Sequence, residues 1–321
     1  NLNYIDLHCD TISIIYSNDN NLSLMNCDCQ INLEKLKKGH CLLQCFAMFI
    51  HLKKVANPFI TCMAMIDRYY QELKENEDLI APVFCFNDIE KNTLNNKISS
   101  LLTIEEGAAT LGSLEQLRNF YRLGVRMICL SWNFENGISY PNVYYGKNNL
   151  EPNTSLGLTE VGKKLVKEMN RLGIIIDVSH LSDKGFYEVL SLTTKPIVAS
   201  HSNARSICPH LRNLTDDMII KLAANGGVMG INFYEFFLDE TSGKETIKWA
   251  IKHMIHVKNL VGVDVLAIGT DFDGIDKDIE IKDAAFIPNL WVEMRKAGFT
   301  EEEIKKIAYQ NFLRVLKANL E

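Results

Sequence analysis

The chain has 321 residues, 47% hydrophobic and 23% charged, which is enough apolar material for a sizeable core and too much for a disordered chain. Its 34 basic and 40 acidic residues give a formal net charge of −6, with no Lys/Arg block long enough to neutralise a run of phosphates, so a nucleic-acid partner is set aside. The longest apolar stretches, residues 42–50 and 261–269, fall well short of the roughly 18–20 residues of a membrane span. The opening Asn1-Leu2-Asn3-Tyr4 carries no leader pattern, and the expectation is a cytoplasmic protein without membrane attachment. Nine cysteines, an odd number without paired CxxC spacing, read as free thiols of a reducing compartment.

In chain order, short runs rich in Ile, Val and Leu alternate with longer amphipathic stretches. Strands are expected at residues 4–10, 42–50, 101–106, 125–131, 174–180, 196–202, 227–233 and 265–271. Helices are expected at 58–75, 113–123, 159–172, 182–192, 215–225 and 244–261, with 286–297 and 301–319 closing the chain. Several of these helices begin with Ser or Thr and end near glycine, as helix caps require. Strands that are apolar throughout belong to a parallel sheet covered on both faces. Eight of them, regularly followed by helices, predict an α/β fold, a (β/α)8 TIM-type barrel, as one domain over residues 1–321. The patternless stretch 132–158 follows the fourth strand, which in a barrel is an active-site loop.

Barrel enzymes place their chemistry at the C-terminal ends of the strands. Here the first strand ends in His8-Cys9-Asp10, the third in Glu105-Glu106-Gly107, the fifth in Asp177-Val178-Ser179-His180, the sixth in Ser200-His201-Ser202 and the eighth in Asp271-Phe272-Asp273-Gly274. Residues two apart share a strand face, so His8 and Asp10 point into one space, and at most one of Glu105 and Glu106 looks into the barrel mouth. Each group alone is weak, since a histidine at the end of an apolar run is commonly a hydrogen-bonded core residue. Together they form a nitrogen and oxygen donor set suited to zinc or a similar divalent metal. A single catalytic zinc needs three protein ligands, whereas this rim offers five and a spare carboxylate, which points to two metals and to hydrolysis. His253 and His256, three apart beside Trp249, Ile251 and Ile255, read as part of a helix packed on the barrel.

The order His8-x-Asp10, Glu106-Gly107, Asp177-Val178-Ser179-His180, Ser200-His201-Ser202 with Arg212-Asn213, Asn232-Phe233-Tyr234 and Gly269-Thr270-Asp271-Phe272-Asp273-Gly274 resembles the membrane (renal) dipeptidase family of amidohydrolase-like barrels. The resemblance runs from the first strand to the last. It implies a binuclear zinc dipeptidase that hydrolyses dipeptides with metal-activated water and tolerates a D-residue at the C-terminal position. By that resemblance His8 and Asp10 would ligate one zinc, His180 and His201 the other, and Glu106 would bridge them. Asp271 would be the catalytic acid/base, with Asp273 on the same strand face as its understudy. Arg212 would grip the substrate carboxylate, and Tyr234 and Trp132 would line the substrate site. Trp132 departs from the family pattern, which has a histidine there; an indole can donate a hydrogen bond or stack but neither ligates metal nor takes up a proton. The competing readings are a related two-metal hydrolase of N-acyl amino acids, lactones or other small amides and esters, and a barrel that has lost catalysis. Relatives of this kind often form homodimers, which the outer helices would permit.

Overall fold

Runs that are apolar on both faces must be covered on both faces, and here the sheet meets that need by closing into a ring inside a layer of helices. The computed structural model describes residues 1–18 and 21–321. Its strands are β1 (Tyr4–Asp6), β2 (Cys41–Phe49), β3 (Ile80–Pro82), β4 (Ile98–Glu105), β5 (Val125–Cys129), β6 (Ile175–Asp177), β7 (Val198–Ala199), β8 (Val228–Ile231) and β9 (Leu266–Ile268). β1 pairs in parallel with both β2 and β9, and β2 pairs with β4, so every strand except β3 belongs to a closed ring of eight. This is the expected (β/α)8 barrel.

Two features differ from expectation. β3 was not anticipated: its three residues pair with Ile98–Ser100 of β4, on the edge that β5 takes over from Leu102 onward, so it is appended outside the ring. Most strands also stop earlier than their apolar runs. β1 ends at Asp6, before His8 and Asp10, and β6 ends at Asp177, before His180. The polar residues therefore sit just past the last ladder bonds, where the backbone is free to turn.

Alternation along the strands separates two layers of core. Ile5, Leu43, Cys45, Leu101, Met127, Ile175, Val198, Val228 and Ala267 fill the barrel, together with Phe312, Val315, Leu316 and Leu320 of the C-terminal helix Asn311–Leu320. That helix closes the end where the strands begin: Asn319 donates to the carbonyl of Pro196, two residues before β7. Phe46, Met48, Leu102, Ile104, Ile128, Ile176 and Ile268 face outward into the helical layer. The helices start where the caps predicted, with Ser113, Thr159, Ser182, Thr215 and Thr300 each accepting a backbone N–H from the first turn. Among the described residues no helix is long and apolar enough to cross a membrane, and all nine cysteines are unpaired.

Candidate active site

With one end of the barrel plugged, the other gathers the polar strand ends around a cavity of about 520 Å³. Asp10, Glu105, His180, His201 and Asp271 line it, with Phe49, Trp132, Tyr234 and Phe237 among its apolar walls. At its base lies a knot of donor atoms. Glu105 Oε2 is 3.5 Å from His8 Nε2, 3.3 Å from His180 Nε2 and 3.2 Å from His201 Nε2. His8 Nε2 is 3.4 Å from Asp10 Oδ1 and 3.6 Å from Asp271 Oδ1, and the two other imidazoles meet Nε2 to Nε2 at 3.1 Å. His8, Glu105 and His201 form one group able to hold a metal ion, and His8, Asp10 and Asp271 form another.

Glu106, the expected bridging carboxylate, is not in this knot. The cause is geometric. Leu101, Thr103 and Glu105 share the interior face of β4, while Leu102 and Ile104 face the helices, so Glu105 is the acid that looks inward. At Glu106 the chain leaves the strand with φ of 124° and enters the short 3-10 helix Gly107–Thr110. A side chain at Gly107 would collide with the carbonyl of Leu130, so the turn packs against the end of β5 only with glycine there. The Glu106 carboxylate turns sideways and accepts from Ala108 N (2.8 Å), Trp132 N (3.2 Å) and Asn136 Nδ2 (2.5 Å). Burial nevertheless raises its pKa to about 7, against the lowering effect of these bonds.

Asp271 behaves as its position suggests. Burial raises its pKa to about 7, opposed by His8 and reinforced by Asp10, and Asn232 Nδ2 donates to its Oδ2 at 3.3 Å. Its neighbour Asp273 also borders the cavity, but its oxygens take Thr11 Oγ1 (2.6 Å), Gln30 N (2.7 Å) and Ile31 N (3.2 Å), so it anchors the segment after the first helix. Gly274 follows because a Cβ there would strike Asp10 Oδ2. Glu106, His180, Asp271 and Asp273 all have positive φ, a conformation non-glycine residues keep only where surroundings impose it.

The cluster is electrostatically unsettled. His8 Nε2, Asp10 Oδ1 and Glu105 Oε2 are buried and make no hydrogen bond. Burial opposes charge on His8, yet Glu105 and Asp10 outweigh it and raise its pKa well above the ordinary value. Burial raises Glu105 well above the carboxylate range and pushes His180 and His201 well below the imidazole range. His180 and His201 thus favour the neutral form, the one in which an imidazole can ligate a metal.

The expected substrate residues are distributed unevenly. Trp132 and Tyr234 line the cavity. Trp132 is fixed by rings, with centroids of Phe49, His51, Phe134 and Tyr145 at 5.0–5.8 Å. Phe49 and Phe237 were not anticipated as wall residues; Phe49 lies in the apolar run 42–50, and Phe237 in the stretch between the seventh strand and the helix at 244–261. Arg212 is 4% exposed and is not part of the lining. Its guanidinium donates to Ser202 Oγ (3.0 Å) and the His201 carbonyl (2.8 Å), while Nε is buried without a partner. Asn133, beside Trp132, accepts from His180 Nδ1 at 2.9 Å. His253 sits elsewhere as a packed residue, accepting from Ala204 N and donating to the carbonyl of Leu238; His256 pairs with Asp216.

Residues 1–320 match the membrane dipeptidase family (peptidase family M19). The uncharacterized protein in the pqqA 5′ region of Klebsiella pneumoniae is 34% identical over 262 residues, 78% of this chain and 96% of that protein. The dipeptidase tcpJ of Claviceps purpurea is 30% identical over 298 residues, 89% of this chain and 68% of that protein. Among solved structures, a metallo peptidase from Rhodobacter sphaeroides, liganded with a phosphinate mimic of the dipeptide L-Ala-D-Ala, shares the fold with a TM-score of 0.91 and 24% identity, covering 99% of each chain.

Proposed function

The chain belongs to the membrane dipeptidase family and is a metal-dependent dipeptidase, and from that premise we propose that it works with two zinc ions and accepts dipeptides with a D-residue at the C-terminal position. The observation that carries the metal reading is the set of buried, unbonded atoms His8 Nε2, Asp10 Oδ1 and Glu105 Oε2. Leaving such atoms unpaired costs on the order of 1–3 kcal/mol each, more if charged, so a cation in their midst accounts for them. Three imidazoles and two carboxylates fit zinc. His8 and Asp10 would hold one ion, His180 and His201 the other, with Glu105 shared in the role expected of Glu106.

Two ions held there would supply Lewis acidity toward the scissile carbonyl and would lower the pKa of a water toward neutral. The rest falls to the chain's own residues. Asp271, whose carboxyl burial holds above the usual range in the metal-free protein, is placed to take a proton from the attacking water at its Oδ1 and return it to the leaving amine. Asn232 holds the other oxygen and keeps Oδ1 toward His8 and the cavity. Arg212, set behind the cavity lining with its Nε unbonded, would grip the substrate's free carboxylate, as the family resemblance implies. The phosphinate ligand of the Rhodobacter protein mimics L-Ala-D-Ala, which supports the D-residue. Nine unpaired thiols support a cytoplasmic place of action. Trp132, where the family pattern has a histidine, favours as a second reading the hydrolysis of N-acyl amino acids by the same site.

Metal analysis and release of amino acid from L,L and L,D dipeptides test this together, on wild type and Asp271→Asn. The expected result is near two zinc per chain and a loss of about 10²–10⁴-fold in kcat with metal retained. Metal with turnover of N-acyl amino acids alone would establish the second reading, and no metal after zinc is supplied would overturn both.

A further inference from the structure

Behind His201, away from the cavity, Asp177 and Ser200 are both buried and carry no part of the proposed chemistry. Asp177 Oδ1 accepts two backbone N–H groups, Ser179 N and Ser200 N, each at 3.0 Å. Its Oδ2 receives the Ser200 hydroxyl in a close contact, and Ser200 Oγ lies 2.7 Å from His201 Nδ1. We propose that Asp177 and Ser200 are positioning residues that lock the proton of His201 on Nδ1 and so keep its Nε2 lone pair on the metal side. This deepens the proposed function and rests on His201 as a metal-holding residue.

The proton count leaves one arrangement. A carboxylate only accepts, so the single Ser200 proton goes to Asp177 and the hydroxyl oxygen must accept from the imidazole. Nδ1 therefore carries a hydrogen, and Nε2 faces Glu105 Oε2 and His180 Nε2 with a bare lone pair. Ser179 Oγ lies 3.4 Å from both Ser200 Oγ and Ser202 Oγ, too long to compete. His180 reaches the same tautomer differently, through the Asn133 amide at 2.9 Å, without a carboxylate behind it. Outer hydrogen bonds of this kind typically hold about 10–100-fold in metal affinity.

An Asp177→Asn variant makes a specific reversal. The two backbone N–H groups keep its carbonyl oxygen in the Oδ1 place, so the new NH2 group donates to Ser200. Ser200 then turns its proton onto His201 Nδ1, and the ring proton moves to Nε2, where it blocks the metal. Removing the hydroxyl breaks that relay. Zinc affinity, read by competition with a chromophoric chelator on metal-stripped protein, should fall about 10-fold in Ser200→Ala and about 100-fold in Asp177→Asn. The double variant should match Ser200→Ala alone, a tenfold rescue of Asp177→Asn. Wild-type affinity in Asp177→Asn, or a double variant no tighter than Asp177→Asn, would overturn the proposal. The second measurement needs no variant: ring ¹⁵N shifts of His201 in the metal-free wild type should report Nδ1–H, and Nε2–H would equally overturn it. Failure of the metal reading looks different, since wild type would then take up no zinc whatever the tautomer.

Discussion

Glu105 and Glu106 are adjacent in the chain and stand on opposite sides of a border. On one side is the metal rim, where carboxylates and imidazoles crowd within 3.2–3.6 Å of one another and several buried atoms have no hydrogen bond. On the other is the loop of residues 132–158, irregular in backbone yet stapled by asparagines. Asn136 Oδ1 accepts Ile138 N and Ser139 N, and its Nδ2 donates to Glu106 and the Leu130 carbonyl. Asn142 accepts from Asn153 N and Asp183 N and donates to Asp183 Oδ1 and the Leu211 carbonyl. A region whose polar groups satisfy one another is scaffold; a region whose buried groups are left wanting is built around something else. The loop is held by its own asparagine bonds, and Trp132 and Asn133 at its start form part of the cavity wall.

Substitution of the two acids gives the largest contrast. Glu105→Gln should lose bound metal and drop activity to background, with little change in the stability of the metal-free form because burial already keeps Glu105 protonated there. Glu106→Gln should keep its metal content, and equal metal loss in both variants, measured by elemental analysis, would erase the border. Arg212→Ala should raise KM for dipeptides by about 10–100-fold, the worth of a charge-assisted bond to the carboxylate, with metal content unchanged; steady-state kinetics decide it.

Glu106 also predicts a pH effect. Its folded pKa of about 7 lies above the ordinary 4.5, so the fold holds this proton more tightly than the unfolded chain does. The stability this contributes is present below about 4.5 and lost as pH rises through 7. Glu106→Gln should therefore gain on wild type between those limits by on the order of 3 kcal/mol, measured by urea unfolding at several pH values. A constant difference would place the ionised carboxylate comfortably among its donors. Smallest of all, Asn142→Ala should cost on the order of 2 kcal/mol of stability with metal content and kcat unchanged. A loss of activity larger than its loss of folded protein would make the loop part of the machinery.

Much of this was legible beforehand. Helix 58–75 was placed by its helical spacing, to which the structure adds an Asn57 cap with Pro58 in the first turn, and the barrel was read from strands apolar on both faces followed by helices. His8, Asp10, His180, His201 and Asp271 were found because polar residues ended apolar runs, and all five are brought together. The family pattern points to Glu106, whereas Glu105 is the acid turned into the cavity; Thr103 and Glu105, alternating with Leu102 and Ile104, carry that signal in the sequence. β3 escaped because three residues with one partner strand leave no period to read. Phe49 and Phe237 escaped because an apolar wall and an apolar core look alike in sequence.

Local chemistry written in the chain determined the alternation of strand and helix, the caps, and which residue types end each strand. The direction of each end group was a tertiary decision, because it depends on where the ladder stops and the backbone turns. His180 and Asp271 reach the cavity in left-handed conformations that only their surroundings hold, and Glu106 is rotated out of it at the Gly107 turn against Leu130. A strand pattern specifies two faces; closure of the barrel specifies which of them is inside.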